Sequence, residues 1–290
     1  MFQNITNKQI SMTIIIVKSF LVIVLAWKLW EASKEGYQLS IDREFFTFLM
    51  IGFLAELVDG SLGMAYGVIS SSFLIFFGVS PVVASAGVHT SEVFTTGVSG
   101  LSHLHFKNVD KGLFFRIVIP GVIGSLIGAI VLSKLVDGEI IRPFIAVYLL
   151  LVGIKLIARE MQGDKVHIKP LKSVPIIGFF GGALDAIGGG GWGPLVTSTI
   201  LSRSASNAKH TIGTVNTAEF FVTFASTGIF MFLIGISFFN ILLGLIIGGV
   251  VAAPLGAYFL KHVPHKVLMY VVGSVLIIVS AFSIYYYIFK

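Results

Sequence analysis

Apolar stretches of about 20 residues, the length that crosses a bilayer as a helix, follow one another along most of this chain. Seven have the length of a simple span: 12–30, 87–105, 112–134, 140–158, 213–235, 239–260 and 267–288. Two more runs, 45–77 and 174–201, are too long for one span, and each is interrupted in its middle. The runs are continuously apolar and do not alternate, which excludes a transmembrane β-barrel. The pattern predicts an all-α polytopic membrane protein with two broken segments.

The second interruption reads GALDAIGGGGWGPLV, residues 182–196. Glycine in a helix interior costs roughly 0.5–1 kcal/mol relative to alanine. Four in succession, followed by Trp192, Gly193 and Pro194, are not an uninterrupted helix. Non-helical backbone at membrane depth survives only where it is buried in protein or lines a watery cavity.

The two broken runs belong to a longer duplication. Set without a gap, IGFLAELVDGSLGMAYGVISSSFLI (51–75) meets IGFFGGALDAIGGGGWGPLVTSTIL (177–201) at an offset of 126. Ile51, Gly52, Phe53, Asp59, Gly63, Gly67 and Ser72 find identical residues, and Tyr66 meets Trp192. HTSEVFTTG (89–97) meets NTAEFFVTF (216–224) at offset 127, pairing Thr90 with Thr217 and Glu92 with Glu219. IPGVIGSLIGA (119–129) meets IGGVVAAPLGA (247–257) at offset 128. The expected organisation is an N-terminal helix and loop (1–44), a first repeat (45–158), a basic linker (159–173) and a second repeat (174–290). Internal repeats with interrupted segments at matching positions mark secondary transporters, and the interruptions point to the binding site.

Composition agrees. The chain has 290 residues, is 56% hydrophobic and only 12% charged, against about 25% charged in soluble domains; its mean hydropathy is +0.95. It contains no cysteine, so disulfides and thiolate sites are absent. The net charge of +6 is scattered through short loops, as expected from retention of positive charge at the cytoplasmic face, and points to the bilayer and not to nucleic acid. The first span follows Lys8, lacks a small-residue cleavage site and carries Trp27 and Trp30 as interface anchors, so a retained helix is expected. If 174–201 is a re-entrant hairpin, the basic connections of the second half all fall on one side. Inverted repeats with re-entrant broken helices are therefore the expected topology. The first half discriminates less, because Lys34, Arg43, Lys134 and Arg142 do not all fit either scheme.

A helix that restarts within the membrane offers unpaired N–H groups at the positive end of its dipole, a ready anion site. The expected donors are the backbone of Gly60, Ser61 and Gly63 in the first break and of Gly188, Gly189, Gly190 and Gly191 in the second. The Ser61, Thr90 and Thr217 hydroxyls, the Trp192 N–H, His89 and Asn216 at the matched position complete the shell. Alternatively, the glycines serve close helix packing. Four acids recur at matched positions, Asp59 with Asp185 and Glu92 with Glu219, and each costs about 2.5–3.5 kcal/mol within the membrane on insertion scales. The two Glu residues are candidate proton carriers; the two Asp residues are candidates to accept hydrogen bonds from the freed N–H groups. No metal and no cofactor is expected: His103 and His105 lie two apart and so on different faces of a helix, and no other His/carboxylate cluster is dense in the sequence.

Taken together, IGFFGGALDAIGGGGWGPLV, GTVNTAEFF and GGVVAAPLGA resemble the sulfite exporter TauE/SafE family, also described as 4-toluene sulfonate uptake permeases, over about residues 45–288. The resemblance implies a multi-pass protein of the cell (inner) membrane that moves a small anionic substrate, a sulfur oxyanion or organosulfonate such as sulfite or sulfoacetate. It leaves cargo, direction, coupling ion and oligomeric state open. An uncoupled anion channel is the alternative. An intramembrane enzyme is weaker: Ser61 with His89 is the one nucleophile–base pair to nominate, without a counterpart in the second repeat, and no catalytic residue is assigned.

Overall fold

The computed structural model describes residues 6–62, 64, 66–136, 138–162, 173–197, 199–200, 208–235, 238–262 and 265–289. Among them every regular element is helical. Helix α1 is Asn7–Lys34, α2 Arg43–Leu62, α3 Tyr66–Phe76, α4 Pro81–His105 and α5 Lys111–Ile130, which ends in a π-helical turn, Val131–Leu135. Then come α6 (Gly138–Gln162), α7 (Val174–Gly188), a second π-helical turn (Trp192–Thr197), α8 (Ala208–Ile234), α9 (Phe239–His262) and α10 (His265–Phe289). All seven simple spans read from the sequence are present as helices. Among the described residues three helices are long and apolar enough by themselves to cross a membrane, namely Asn7–Lys34, Lys111–Leu135 and His210–Ile234. The outward faces carry large apolar side chains such as Ile16, Ile23, Phe144 and Phe232. The chain is an all-α, polytopic membrane protein.

Local chemistry sets the helix starts. Thr6 and Gln9 form a capping box on α1, Asp42 Oδ1 accepts the Phe45 N–H at 3.0 Å ahead of α2, and Pro81 occupies the first turn of α4. Asp110 accepts the Gly112 and Leu113 N–H groups at the start of α5. The capping side chains satisfy donors that a helix end leaves unpaired, and Pro81 removes one of them.

Glycines fix which helices touch and in which sense. Gly178 lies against the backbone of Ile117, and Gly182 against that of Gly121, so α7 runs parallel to α5. Gly244 meets Phe45 and Phe48, and Gly248 meets Leu49 and Phe53, so α2 runs parallel to α9. Gly97 lies on Phe220, Gly100 on Thr217 and Gly213 on Asn108, which makes α4 and α8 antiparallel. Gly153 on Leu276 with Gly273 on Ile157 makes α6 and α10 antiparallel. Backbones approach this closely only where no Cβ intervenes. Helix α1 lies against α4, where Lys18 donates to the Phe94 carbonyl at 3.3 Å.

These directions settle the path of the broken segments. α7 and α8 both run antiparallel to α4, α7 by way of its parallel partner α5, so the chain must double back between them. The same parity applies to α2 and α4, with α3 as the return leg. Both segments are hairpins that reverse inside the bundle, the first around Met64 and the second at 189–191. The alternative of a crossing segment does not fit these helix directions.

Candidate functional site

The two hairpin turns meet. Gly67, in the first turn of α3, packs on the Gly189 carbonyl, and Gly193 packs on the backbone of Met64. At each turn an Asp closes the gap. Asp59 Oδ1 accepts the Tyr66 N–H at 3.1 Å; Asp185 Oδ1 accepts the N–H groups of Gly191 at 3.1 Å and Trp192 at 3.0 Å. Tyr66 and Trp192 open the returning elements, so each carboxylate sits at the positive end of a restarting helix and takes the donors left unpaired there.

The positions of the breaks correct the expected donors. Helix α2 continues through Gly60 and Ser61 to Leu62, and α7 ends on Gly188. Their amides therefore belong to outgoing helices, because the chain breaks later than the glycines suggest. Gly63 lies outside the described residues, as does the side chain of Ser61. Gly189 takes φ +67°, a left-handed conformation that ends α7, and its N–H returns to the Asp185 carbonyl at 2.6 Å. Gly191 presses on the Gly181 carbonyl and the Asp185 N atom. Gly190 borders side chains alone, the ends of Leu149, Tyr148 and Val68, and Gly188 only the side chain of Ile145.

Around the turns lies a buried polar core. Glu92 (2% exposed), Asp185 (3%) and Glu219 (8%) lie within it, and His89 is fully enclosed. Asp185, Glu219, Asp59 and Glu56 all lie within electrostatic reach of Glu92. His89 Nδ1 is 2.8 Å from the Ser85 carbonyl, to which it donates, and Nε2 is 3.3 Å from Asp185 Oδ2. His89, Glu92 and Asp185 each present a ligand atom within 4.8 Å of the other two. Spacing along the chain does not suggest a dense His/carboxylate cluster, since His89 and Asp185 are 96 residues apart; the fold assembles one from α4 and α7.

The remaining nominated donors are engaged within the protein. The Thr90 and Thr217 hydroxyls donate to the Ala86 and Gly213 carbonyls of their own helices, each at 2.6 Å. Trp192 Nε1 donates to the Val215 carbonyl at 3.1 Å, and Asn216 Nδ2 to Ser99 Oγ at 3.3 Å. Several acceptors have no hydrogen-bond partner: Oε2 of Glu92, Oε2 of Glu56 and Oδ1 of Asn216. Glu56 was not among the expected site residues because its repeat position holds Gly182; an acid inside an apolar run was its one signal. Tyr148, whose hydroxyl donates to the Gly190 carbonyl at 2.7 Å, gave none.

Among the described residues, apolar cavities include one of about 260 Å³ beside Tyr148, Leu184 and Pro194 and one of about 540 Å³ between α1 and α5, lined by Ile10, Phe114 and Phe221. Ser85 Oγ, 3.2 Å from His89 Nδ1, suggests a nucleophile and base. Its proton, however, goes to the Ala186 carbonyl at 2.5 Å, and Nδ1 already donates to a carbonyl, so the ring does not act as a base toward it.

The sulfite exporter TauE/SafE family matches residues 48–283. The chain is 40% identical over 248 residues to the probable membrane transporter protein YtnM of Bacillus subtilis (strain 168), covering 82% of each protein. No solved structure matches. A buried acidic core between two helix breaks, in an all-α membrane bundle, is thus found in a chain whose matched relative is described as a probable membrane transporter protein. By the extent of the match, the chain belongs to the sulfite exporter TauE/SafE family.

Proposed function

We propose that the protein is a secondary transporter that exports sulfur-containing oxyanions or organosulfonates, such as sulfite or sulfoacetate, across the cell membrane, coupled to protons on Glu92 and Glu219. The observation that carries this reading is the way Asp185 holds the amides of Gly191 and Trp192. Two N–H groups converging at a helix start form an anion site, and here a tethered carboxylate occupies it. A substrate anion would take those amides when the Asp185 carboxylate yields them, and a proton taken up with it would balance the added charge. Glu92 and Glu219, buried beside Asp185, are placed to pass that proton on. The burial of His89, Glu92 and Asp185 favours alternating access over an uncoupled channel.

Two related, inverted halves suit this mechanism. Matched contacts support them: Asp59 to Tyr66 N mirrors Asp185 to Trp192 N at the offset of 126. Gly52 on Leu245 likewise mirrors Gly178 on Ile117. The positive-inside rule orients the bundle. The ends of α4, α6 and α9 share a face with the starts of α5, α7, α8 and α10. The sequence joining these ends carries Lys107, Lys111, Lys165, Lys169, Lys172 and Arg203 with few acids. At the other face Lys34, Arg43, Lys134 and Arg142 are offset by Glu35, Asp42, Glu44, Asp137 and Glu139. The first face is therefore cytoplasmic, and the residues that fitted neither topology become a neutral outer face.

The test is flux in proteoliposomes across a range of pH. Glu92→Gln and Glu219→Gln should keep anion binding and flatten the pH dependence of transport. If both single variants and the double keep the native pH profile, the proton relay is wrong.

A further inference from the structure

We infer that His89, Glu92 and Asp185 form a binding site for a single divalent transition-metal ion of the Zn²⁺ or Co²⁺ type. One imidazole nitrogen and two carboxylate oxygens lie within 4.8 Å of one another, and the His89 Nε2 to Asp185 Oδ2 separation is 3.3 Å. Two ligands each about 2.0–2.2 Å from one ion stand at about that separation in a tetrahedral site.

The surroundings orient each ligand as metal ligands are oriented. His89 Nδ1–H donates to the Ser85 carbonyl at 2.8 Å, which fixes the tautomer and leaves the Nε2 lone pair free toward Asp185. Asp185 spends Oδ1 on the Gly191 and Trp192 amides and leaves Oδ2 for the ion. Glu92 is buried, with Oε2 lacking any hydrogen-bond partner. With Nε2 unprotonated, its contact with the Asp185 carboxylate is repulsive, and a cation between them relieves it.

The donor set chooses among cations. Calcium and magnesium prefer oxygen-only shells, whereas imidazole with carboxylate suits zinc and its neighbours. A proton shared between Nε2 and Oδ2 also answers the repulsion, but gives Glu92 no part. The inference concerns the state in which Asp185 holds the amides, and it stands or falls without reference to the transported anion.

Purified full-length protein in detergent, without substrate, would be titrated with Co²⁺. We expect one ion per chain, with the intense visible bands of a low-coordinate site, displaced by Zn²⁺. His89→Gln and Glu92→Gln should each weaken binding by more than about tenfold, the loss that even outer-shell changes produce. His103→Ala and His105→Ala should not alter it. X-ray absorption on the native Co²⁺ protein should find one imidazole among oxygen ligands, a readout that needs no variant to fold. Absence of binding, absence of coordinated imidazole, or binding untouched by the His89 and Glu92 changes would overturn the site. Loss of binding in Asp185→Asn with no effect of Glu92→Gln would assign the gap to a proton and also overturn it.

Discussion

Asp185 gives the most quantitative handle on the helix breaks. Asp185→Ala removes the acceptor of two buried N–H groups, those of Gly191 and Trp192. An unsatisfied buried donor costs about 1–3 kcal/mol. Within bilayers, side-chain hydrogen bonds average nearer 0.6 kcal/mol, because the unfolded chain also finds partners there. The lower end of the range therefore applies, giving about 2 kcal/mol for two amides. Asp185→Asn keeps an oxygen in place and surrenders only the charge, so it should cost about half as much. Asp59→Ala strands the Tyr66 N–H and by the same arithmetic should cost about 1 kcal/mol. Equilibrium unfolding in mixed micelles, monitored by Trp192 fluorescence, would measure all three. The order expected is Asp185→Ala worst, with Asp185→Asn and Asp59→Ala close together. If Asp185→Ala is no less stable than Asp185→Asn, the carboxylate does not hold the turn and the reasoning fails.

Other outcomes follow from the same geometry. A methyl group at Gly190 meets only the movable ends of Leu149 and Tyr148 at 2.9 and 3.3 Å, so Gly190→Ala should fold with a small loss of thermal stability. At Gly191 it meets the backbone of α7, so Gly191→Ala should lose about 1–3 kcal/mol, the cost of an overpacked core, in the same unfolding assay. The chain has no cysteine, which makes single-cysteine labelling clean. Labels at Lys107 and Lys266 should react from one side of the membrane and labels at Lys34 and Gly235 from the other; mixed sidedness within either pair would contradict the hairpin topology.

What the sequence disclosed was whatever depends on local pattern. The seven simple spans follow from runs of apolar residues, and the two breaks from glycines that no helix accommodates cheaply. The position of each break within its run was less legible. Gly60, Ser61 and Gly188 stay helical, and the second break comes one residue later, where φ becomes positive at Gly189. The two Asp residues were legible as pairs because the duplication repeats them. Glu56 was not, since its counterpart is a glycine. The approach of His89 to Asp185 depends on how α4 meets α7, a tertiary contact with no trace in spacing. Likewise, the donors nominated from residue type proved to be engaged, because a buried membrane core leaves few polar hydrogens without acceptors.

The central claim, that this bundle moves sulfur-containing anions, is tested most directly by flux of radiolabelled sulfite from proteoliposomes containing the purified protein, with sulfate, thiosulfate and small sulfonates as competitors. The account predicts saturable sulfite movement that depends on an imposed pH gradient and is inhibited by at least one of these anions. Flux no greater than that of protein-free vesicles, for sulfite and for every competitor labelled in turn, would contradict it.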